Sequence, residues 1–378
     1  MRRVLQIAAV SAAATLALAA CGEAPAEDES AEGGGSESSA DSSDGAGAAP
    51  EGAGDFQACM VSDAGGFDDQ SFNQSGAQGM ESAESELGIQ TTLVESQSDA
   101  DYDSNVSTLV SQGCNLIFGV GFLLEDAVQS AAEDNPETNF ALIDSAFSDA
   151  EFNPVELDNA KPILFNTAEA SFLAGYLAAG TTESGTVATF GGVQIPSVAV
   201  FMDGFADGVT RYNEDEGTDV QLLGWDKEAQ NGAFSGDFDN QAQGQTLTEQ
   251  FIAQGADIVM PVAGPVGLGA AAAAESEEGT KIIWVDSDGF ETTQYGPLML
   301  TSVLKRIGPA VDDTITETLE SGFSNEPYIG TLENDGVGLA PYHDFEGEVP
   351  EELSTKIEEY KQQIIDGELT VESPNSPS

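Results

Sequence analysis

Residues 61–80 read VSDAGGFDDQSFNQSGAQGM. An apolar run stops at Val61, Ser62 and Asp63 follow, and two glycines and two more aspartates lead to Phe72, set between Ser71 and Asn73. A helical pattern starts there. A strand that hands over to a helix through Gly, Asp and Ser is the opening of a βαβ unit. The ring is out of place in such a polar turn. It either seals the helix end or faces something flat.

Outward from this stretch the same alternation repeats. Apolar runs recur at 91–94, 115–120, 140–143, 163–165, 187–190, 220–223, 258–262, 282–285 and 298–301, and helical patterns occupy 71–87, 106–112, 168–179, 198–212 and 242–253. Strands alternating with helices imply a parallel sheet, and runs apolar on both faces fit buried parallel strands. The number of units exceeds what one small sheet holds. A break near 151–161, which carries Pro154 and Pro162, divides them into two similar lobes. The expected first lobe holds 55–160 and 305–330. The second holds 161–304 and 331–370, including a last helix at 351–365, and 371–378 form a tail. The expected fold class is therefore α/β, two doubly wound parallel-sheet lobes joined by three crossovers around a ligand cleft.

The strand ends share a chemistry: Ser62-Asp63, Gly119-Val120-Gly121, Asp144-Ser145, Gly191-Gly192, Trp225-Asp226, Ala263-Gly264 and Asp286-Ser287-Asp288. Open α/β sheets bind ligands outside the carboxyl ends of their strands. Each motif alone is an ordinary turn or cap. Together they point to a polar ligand between the lobes.

The chain opens MRRVLQIAAVSAAATLALAAC. Arg2 and Arg3 precede an apolar stretch at 4–18, too short to span a bilayer comfortably, and residues 1–20 read as a secretory signal. Leu18-Ala19-Ala20-Cys21 resembles a lipobox, which implies cleavage before Cys21 and a lipid on its thiol. Residues 22–54 are Gly, Ser, Ala, Glu, Asp and Pro, so 21–54 form a lipidated cysteine and an acidic tether without a core. The expected location is extracytoplasmic, on a cell membrane through the lipid alone.

There are 67 acidic residues against 10 basic ones, a formal net charge of −57. Such a surface repels nucleic acid and anionic lipid. Against that background each lysine inside an apolar pattern stands out. Cys59 lies in the first predicted strand and Cys114 at the start of the third. An oxidising compartment permits a bridge between them, and two buried thiols fit equally well.

No catalytic constellation is present. The single histidine, His343, excludes a His-based catalytic or metal site. Gly264-Pro-Val-Gly267-Leu-Gly269 has the wrong order for a dinucleotide loop, and no Gly-Lys-Ser/Thr phosphate loop exists. Asp286-Ser-Asp288-Gly289 starts like a calcium loop but lacks its later ligands. Neither a cofactor nor a metal is expected.

Several segments together resemble the basic membrane protein (PnrA-like) family of ABC-transporter substrate-binding lipoproteins. They are VSDAGGFDDQSFNQSGAQGM, FNTAEASFLAGYLAA (165–179), FGGVQIPSVAVFMDGFADGV (190–209), GADIVMPVAGPVGLGAAAAA (255–274), WVDSD (284–288) and LTSVLK (300–305). The resemblance runs from about Phe56 to Val371. It implies a periplasmic-binding-protein type I fold and a monomeric receptor that delivers a purine nucleoside to a permease and its ATPase. Phe72 matches the ring of the family's D-x-S-F-N motif, which implies stacking on the base from the first lobe. Asp63 and Asn73 suit the polar edge of a purine. From AFSGDFDNQAQG (233–244) the second lobe offers an opposing ring, Phe238 or, failing that, Phe234. Asp286 and Lys305 are placed to accept from and donate to a ribose, Gly264 to bring backbone close, and Asp144 to face the sugar. A receptor for a sugar or free base, and a lipoprotein that senses its ligand without transporting it, are the competing readings.

Overall fold

The structure is a computed structural model that describes residues 50–377 apart from 51 and 152. The signal, Cys21 and most of the tether lie outside the described residues.

In chain order the first lobe is built from β1 (Gln57–Ser62), α1 (Phe72–Leu87), β2 (Gln90–Val94), α2 (Tyr102–Gln112), β3 (Leu116–Val120), α3 (Glu125–Asp134), β4 (Asn139–Ile143) and β5 (Ala160–Phe165). The chain then crosses to α4 (Thr167–Thr181), β6 (Thr186–Gly191), α5 (Pro196–Glu216), β7 (Gln221–Leu223) and a small ribbon, β8 (Trp225–Asp226) with β9 (Asn231–Gly232). Next come α6 (Gln241–Ala253), β10 (Ile258–Val262), α7 (Val266–Glu275), β11 (Lys281–Asp286), the single turn α8 (Gly289–Thr292) and β12 (Met299–Lys305). The remaining elements are α9 (Ile307–Ser321), β13 (Tyr328–Gly330), β14 (Val337–Leu339) and α10 (Glu351–Ile365).

Two six-stranded sheets result, ordered β13-β5-β4-β3-β1-β2 and β14-β12-β11-β10-β6-β7. The first is parallel throughout. The second is parallel except at its edge, where β14 runs antiparallel to β12. Position for position the two orders coincide, so β4 and β11 are equivalent strands of the two lobes. The register keeps strand ends level: Val120 pairs with Ser62 on one side and Ile143 on the other. The loops after these ends therefore open on one side of each sheet.

The chain passes between sheets after β5, after β12 and between β13 and β14, which gives the three crossovers of a type I binding-protein fold. Two boundaries differ from expectation. Lys305, expected in the first lobe, closes β12 of the second sheet, opposite Val337. Residues 161–165 are expected in the second lobe, yet β5 pairs with β4, Phe140 opposite Ala160 and Ile143 opposite Ile163. Pro154 lies in the long connection between β4 and β5 and Pro162 within β5, opposite Leu142, so both fall inside the first lobe, and the crossing comes at Asn166.

Burial follows the pattern of the sequence. β3 and β10 are buried along their whole length, as expected of strands covered on both faces. The helix α4, apolar all round, is packed between α5, α10 and the second sheet. A side chain at Gly175 would collide with the Phe205 carbonyl, so this glycine sets how closely α4 and α5 approach. α10 seals the other side with Tyr360, edge-on to Phe172 and Tyr176. Cys59 and Cys114 are joined as a disulfide beneath α2, among Tyr102, Val106 and Leu109. No helix among the described residues is long and apolar enough to cross a membrane.

Candidate functional site

The polar turn 63–73 is organised by Asp69. Its buried carboxylate accepts from the backbone N–H groups of Ser71 (3.0 Å), Asn73 (2.8 Å) and Gln74 (3.0 Å) at the start of α1. A helix N-terminus leaves these donors unpaired, and an acid satisfies them and suits the dipole. With the cap supplied by Asp69, the side chains of Phe72 and Asn73 are free to face the cleft.

There they line a cavity between the lobes with about 520 Å³ of empty space, part of it open to solvent. Asp63, Phe72, Asn73 and Asp144 enter it from the first lobe, and Phe238, Gly264 and Asp286 from the second, with Lys305 at the end of β12. Phe234, the alternative second ring, is not among the residues that line it. It bridges to Gly191 and sits edge-on against Trp225, with ring centroids 6.0 Å apart. That pairing turns Phe234 into the second lobe's packing, and Phe238, four residues later, swings toward the cleft.

Lys305 is the electrostatic centre of the cavity. Its ammonium lies 2.5 Å from Asp144 and 3.5 Å from Asp286, and all three side chains are at least nine-tenths buried. It also sits 5.0 Å from the Phe72 ring centroid and 4.9 Å from that of Phe201, within cation–π range. Burial alone would lower the lysine's pKa, but the charges of Asp144 and Asp286 outweigh it and hold the group raised. Burial raises Asp144 above the usual carboxylate range, against the pull of Lys305. Asp144 and Asp286 are both left-handed, at φ 67° and 69°. Non-glycine residues in that region gather where a site needs them.

At the other end, Asn73 gives its amide nitrogen to Asp63 (2.9 Å), the Ala64 carbonyl (3.2 Å) and Asp69 (3.2 Å). Its buried oxygen takes no hydrogen bond within the described residues. The orientation is fixed, since the reverse would set that oxygen against two carboxylates. Asn73 therefore presents an acceptor. Burial raises Asp63 well above the ordinary range; the Asn73 bond opposes this, while Asp69, Asp144 and Asp239 add to it. Gly121, at φ 110°, lies against Asp63, and any side chain there would strike the carboxylate. The arrangement offers flat apolar walls, acceptors at one end and a charged donor–acceptor group at the other.

The lobes also touch outside the cavity. The Gln70 carbonyl, on a residue at φ 58°, lies 2.9 Å from Ser287 Oγ, 3.1 Å from Thr292 Oγ1 and 3.3 Å from Trp284 Nε1. Ser71 Oγ donates to Asp286 at 2.8 Å. Sequence reasoning missed Asp69, Phe201 and these contacts. Asp69 had a signal, an acid just before a helix start. Phe201 lies inside an apolar helical pattern that gives no reason to single it out.

A family model described as "ABC transporter substrate-binding protein PnrA-like" matches residues 56–374. The "ABC transporter nucleoside-binding protein BmpA" of Lactococcus lactis is 30% identical over 338 residues, covering 84% of this chain and 90% of that protein. The "CD4+ T-cell-stimulating antigen" of Listeria innocua is 32% identical over 342 residues, covering 85% and 89%. Among solved structures, an ABC transporter system solute-binding protein from Aeropyrum pernix K1 superposes with a TM-score of 0.74 at 27% identity, covering 83% of this chain and 92% of that one.

Proposed function

We propose, on the premise that the chain belongs to the PnrA-like family of ABC transporter substrate-binding proteins, that its cleft captures a purine nucleoside and presents it to a membrane permease. The family makes it an extracytoplasmic binding protein for a small molecule. The finer reading rests on one observation. Phe72 and Phe238 reach the same cavity from opposite lobes, beside a buried lysine held between two carboxylates. A base needs flat apolar walls and a ribose needs paired acceptors and donors, and this cavity supplies both. The L. lactis relative's name, a nucleoside-binding protein, supports the same ligand class. Phe72 and Phe238 hold the base, Asp63 and Asn73 accept from its N–H groups, and Asp286 and Lys305 hold the ribose hydroxyls. Gly264 and Asp144 complete the wall. Cleavage before Cys21 and a lipid on its thiol keep the receptor near its permease and ATPase.

A ligand that touches both lobes favours the closed form by its differential affinity, and a permease can recognise that form. The test is a calorimetric titration of adenosine, guanosine, inosine and their free bases against wild type and Asp286→Ala. The variant is expected to weaken nucleosides about tenfold or more, because a buried polar partner is lost, and to leave free bases unchanged. Equal losses for base and nucleoside would remove the ribose role. Folded wild type that binds none of them would overturn the nucleoside reading.

A further inference from the structure

The cavity does not end at Asp144. A second, more open cavity adjoins it, sharing Phe122, Asp144 and Ser197, with about 740 Å³ of empty space continuous with solvent. Its walls are largely apolar: Leu164 and Phe165 from the end of β5, and Pro196 and Val200 from α5. Its roof is the C-terminal segment from Pro374 to Pro377. That segment is firmly held. Asp203, fully buried, accepts from Ser373 Oγ at 2.6 Å and Asn375 Nδ2 at 2.9 Å, and Ser376 Oγ donates to Asn166, at the first crossover, at 3.0 Å.

The geometry assigns this space a ligand. Lys305 lies between Asp286 on one side and Asp144 on the other. On the nucleoside reading, a ribose whose 2′ and 3′ hydroxyls engage Asp286 and Lys305 has Asp144 and the second cavity on the far side of the ammonium, where its 5′ carbon would point. No lysine or arginine lines that cavity. The nearest cation, Lys305, is already matched by two carboxylates. A phosphate would meet negative charge there without compensation, whereas a small uncharged group would meet apolar walls. We infer that the second cavity is a subsite for an uncharged 5′ substituent, so that the receptor accepts 5′-alkylthio purine nucleosides and rejects nucleoside 5′-phosphates. The inference rests on the nucleoside reading above and goes beyond it in naming what else the cleft admits.

Ala146, exposed and lining the second cavity but not the first, allows it to be filled without touching the base or ribose site. Whichever of adenosine, guanosine and inosine binds is titrated beside its 5′-methylthio derivative and its 5′-monophosphate, on wild type and Ala146→Phe. On wild type the methylthio derivative is expected within about tenfold of the parent and the monophosphate about a hundredfold weaker or worse. On Ala146→Phe the methylthio derivative is expected to lose about tenfold and the parent to stay within about twofold. A chain lacking residues 372–378 gives the complementary result, with bulkier uncharged 5′ groups now admitted. A methylthio derivative as weak as the monophosphate on wild type, or equal losses of parent and derivative on Ala146→Phe, overturns the subsite and leaves the nucleoside reading intact. Failure of every parent nucleoside to bind folded wild type overturns both.

Discussion

Asp144 and Asp286 stand at equivalent strand ends of the two lobes, both left-handed, and hold the ammonium of Lys305 between them. Removing the lysine leaves two buried carboxylates facing each other. Breaking a buried ion pair from one side costs about 3–5 kcal/mol. Lys305→Met is therefore expected to lower the urea midpoint by a loss of that order, although Met fills much of the same space. A double variant, Lys305→Met with Asp144→Asn, is expected to recover part of the loss. Equal stability of the single variant and wild type would show that the carboxylates find protons or water at no cost.

Phe72 and Phe238 enter one cavity from opposite lobes. An aromatic face is worth about 1–3 kcal/mol per base. Phe72→Ala and Phe238→Ala are each expected to weaken nucleoside binding by about ten- to a hundredfold in calorimetry, and Phe234→Ala by far less. Phe234 packs on Trp225, so its truncation is expected to lower thermal stability instead. A larger binding loss from Phe234 than from Phe238 would reverse the assignment of the second ring.

How much of this was legible depended on how local the determining interaction is. The turn before α1 could be read because its acids, ring and amide lie within a dozen residues. The strand runs could be read because both-face burial writes itself as unbroken apolar sequence. The membership of β5 could not, because its pairing with β4 is fixed in space and a pair of prolines mimicked a boundary. β13 and β14 are three residues each and carry no pattern of their own. Phe234 and Phe238 have the same chemistry, and the bridge from Gly191 to Phe234 and the packing of Phe234 on Trp225 separate them in space. The Gln70 contact is made by a backbone carbonyl, which no residue type announces.

That carbonyl yields a prediction about closure. Ser287 and Thr292 bind it from the second lobe without lining the main cavity. A hydrogen bond is worth about 0.5–1.5 kcal/mol net. The double variant Ser287→Ala, Thr292→Val is expected to open the free protein in small-angle scattering and to weaken the ligand about three- to tenfold through the closing equilibrium. Unchanged scattering and affinity would show that the contact does not bias closure.

The disulfide ties β1 to the residue two before β3, across a separation of 55 residues. Closing a loop of that size in the unfolded chain is worth about 4 kcal/mol in the chain-entropy account. Cys59→Ala with Cys114→Ala is expected to lose a stability of that order in denaturant. Neither cysteine lines the main cavity, so ligand affinity is expected to stay within about twofold. A collapse of affinity in a variant that remains folded would tie the bridge to the shape of the cleft.

Asp63 brings stability and binding into opposition. Burial, reinforced by Asp69, Asp144 and Asp239, raises its pKa well above the ordinary carboxylate value, against the single bond from Asn73. Tyr102, whose own hydroxyl burial pushes well up, also lies close enough to feel its charge. Below about pH 4, the ordinary carboxylate value, folded and unfolded chains both carry the proton and Asp63 has no effect. As pH rises through that value the unfolded chain releases its proton first, so wild type loses stability until pH passes the raised folded value. Asp63→Asn cannot ionise. Its melting temperature relative to wild type is expected to be near equal in acid, to climb across that window and to level off above it. Binding is expected to run the other way. If the ionised form accepts a ligand N–H, as proposed, wild-type affinity is expected to fall on acidification, beginning above the ordinary carboxylate range. Asp63→Asn is expected to bind weakly throughout and to lose that pH dependence. Calorimetric titrations and melting curves from about pH 4, the ordinary carboxylate value, upward through the raised folded value decide it. A variant less stable than wild type at neutral pH would show that the carboxylate's hydrogen bond outweighs the cost of burying its charge.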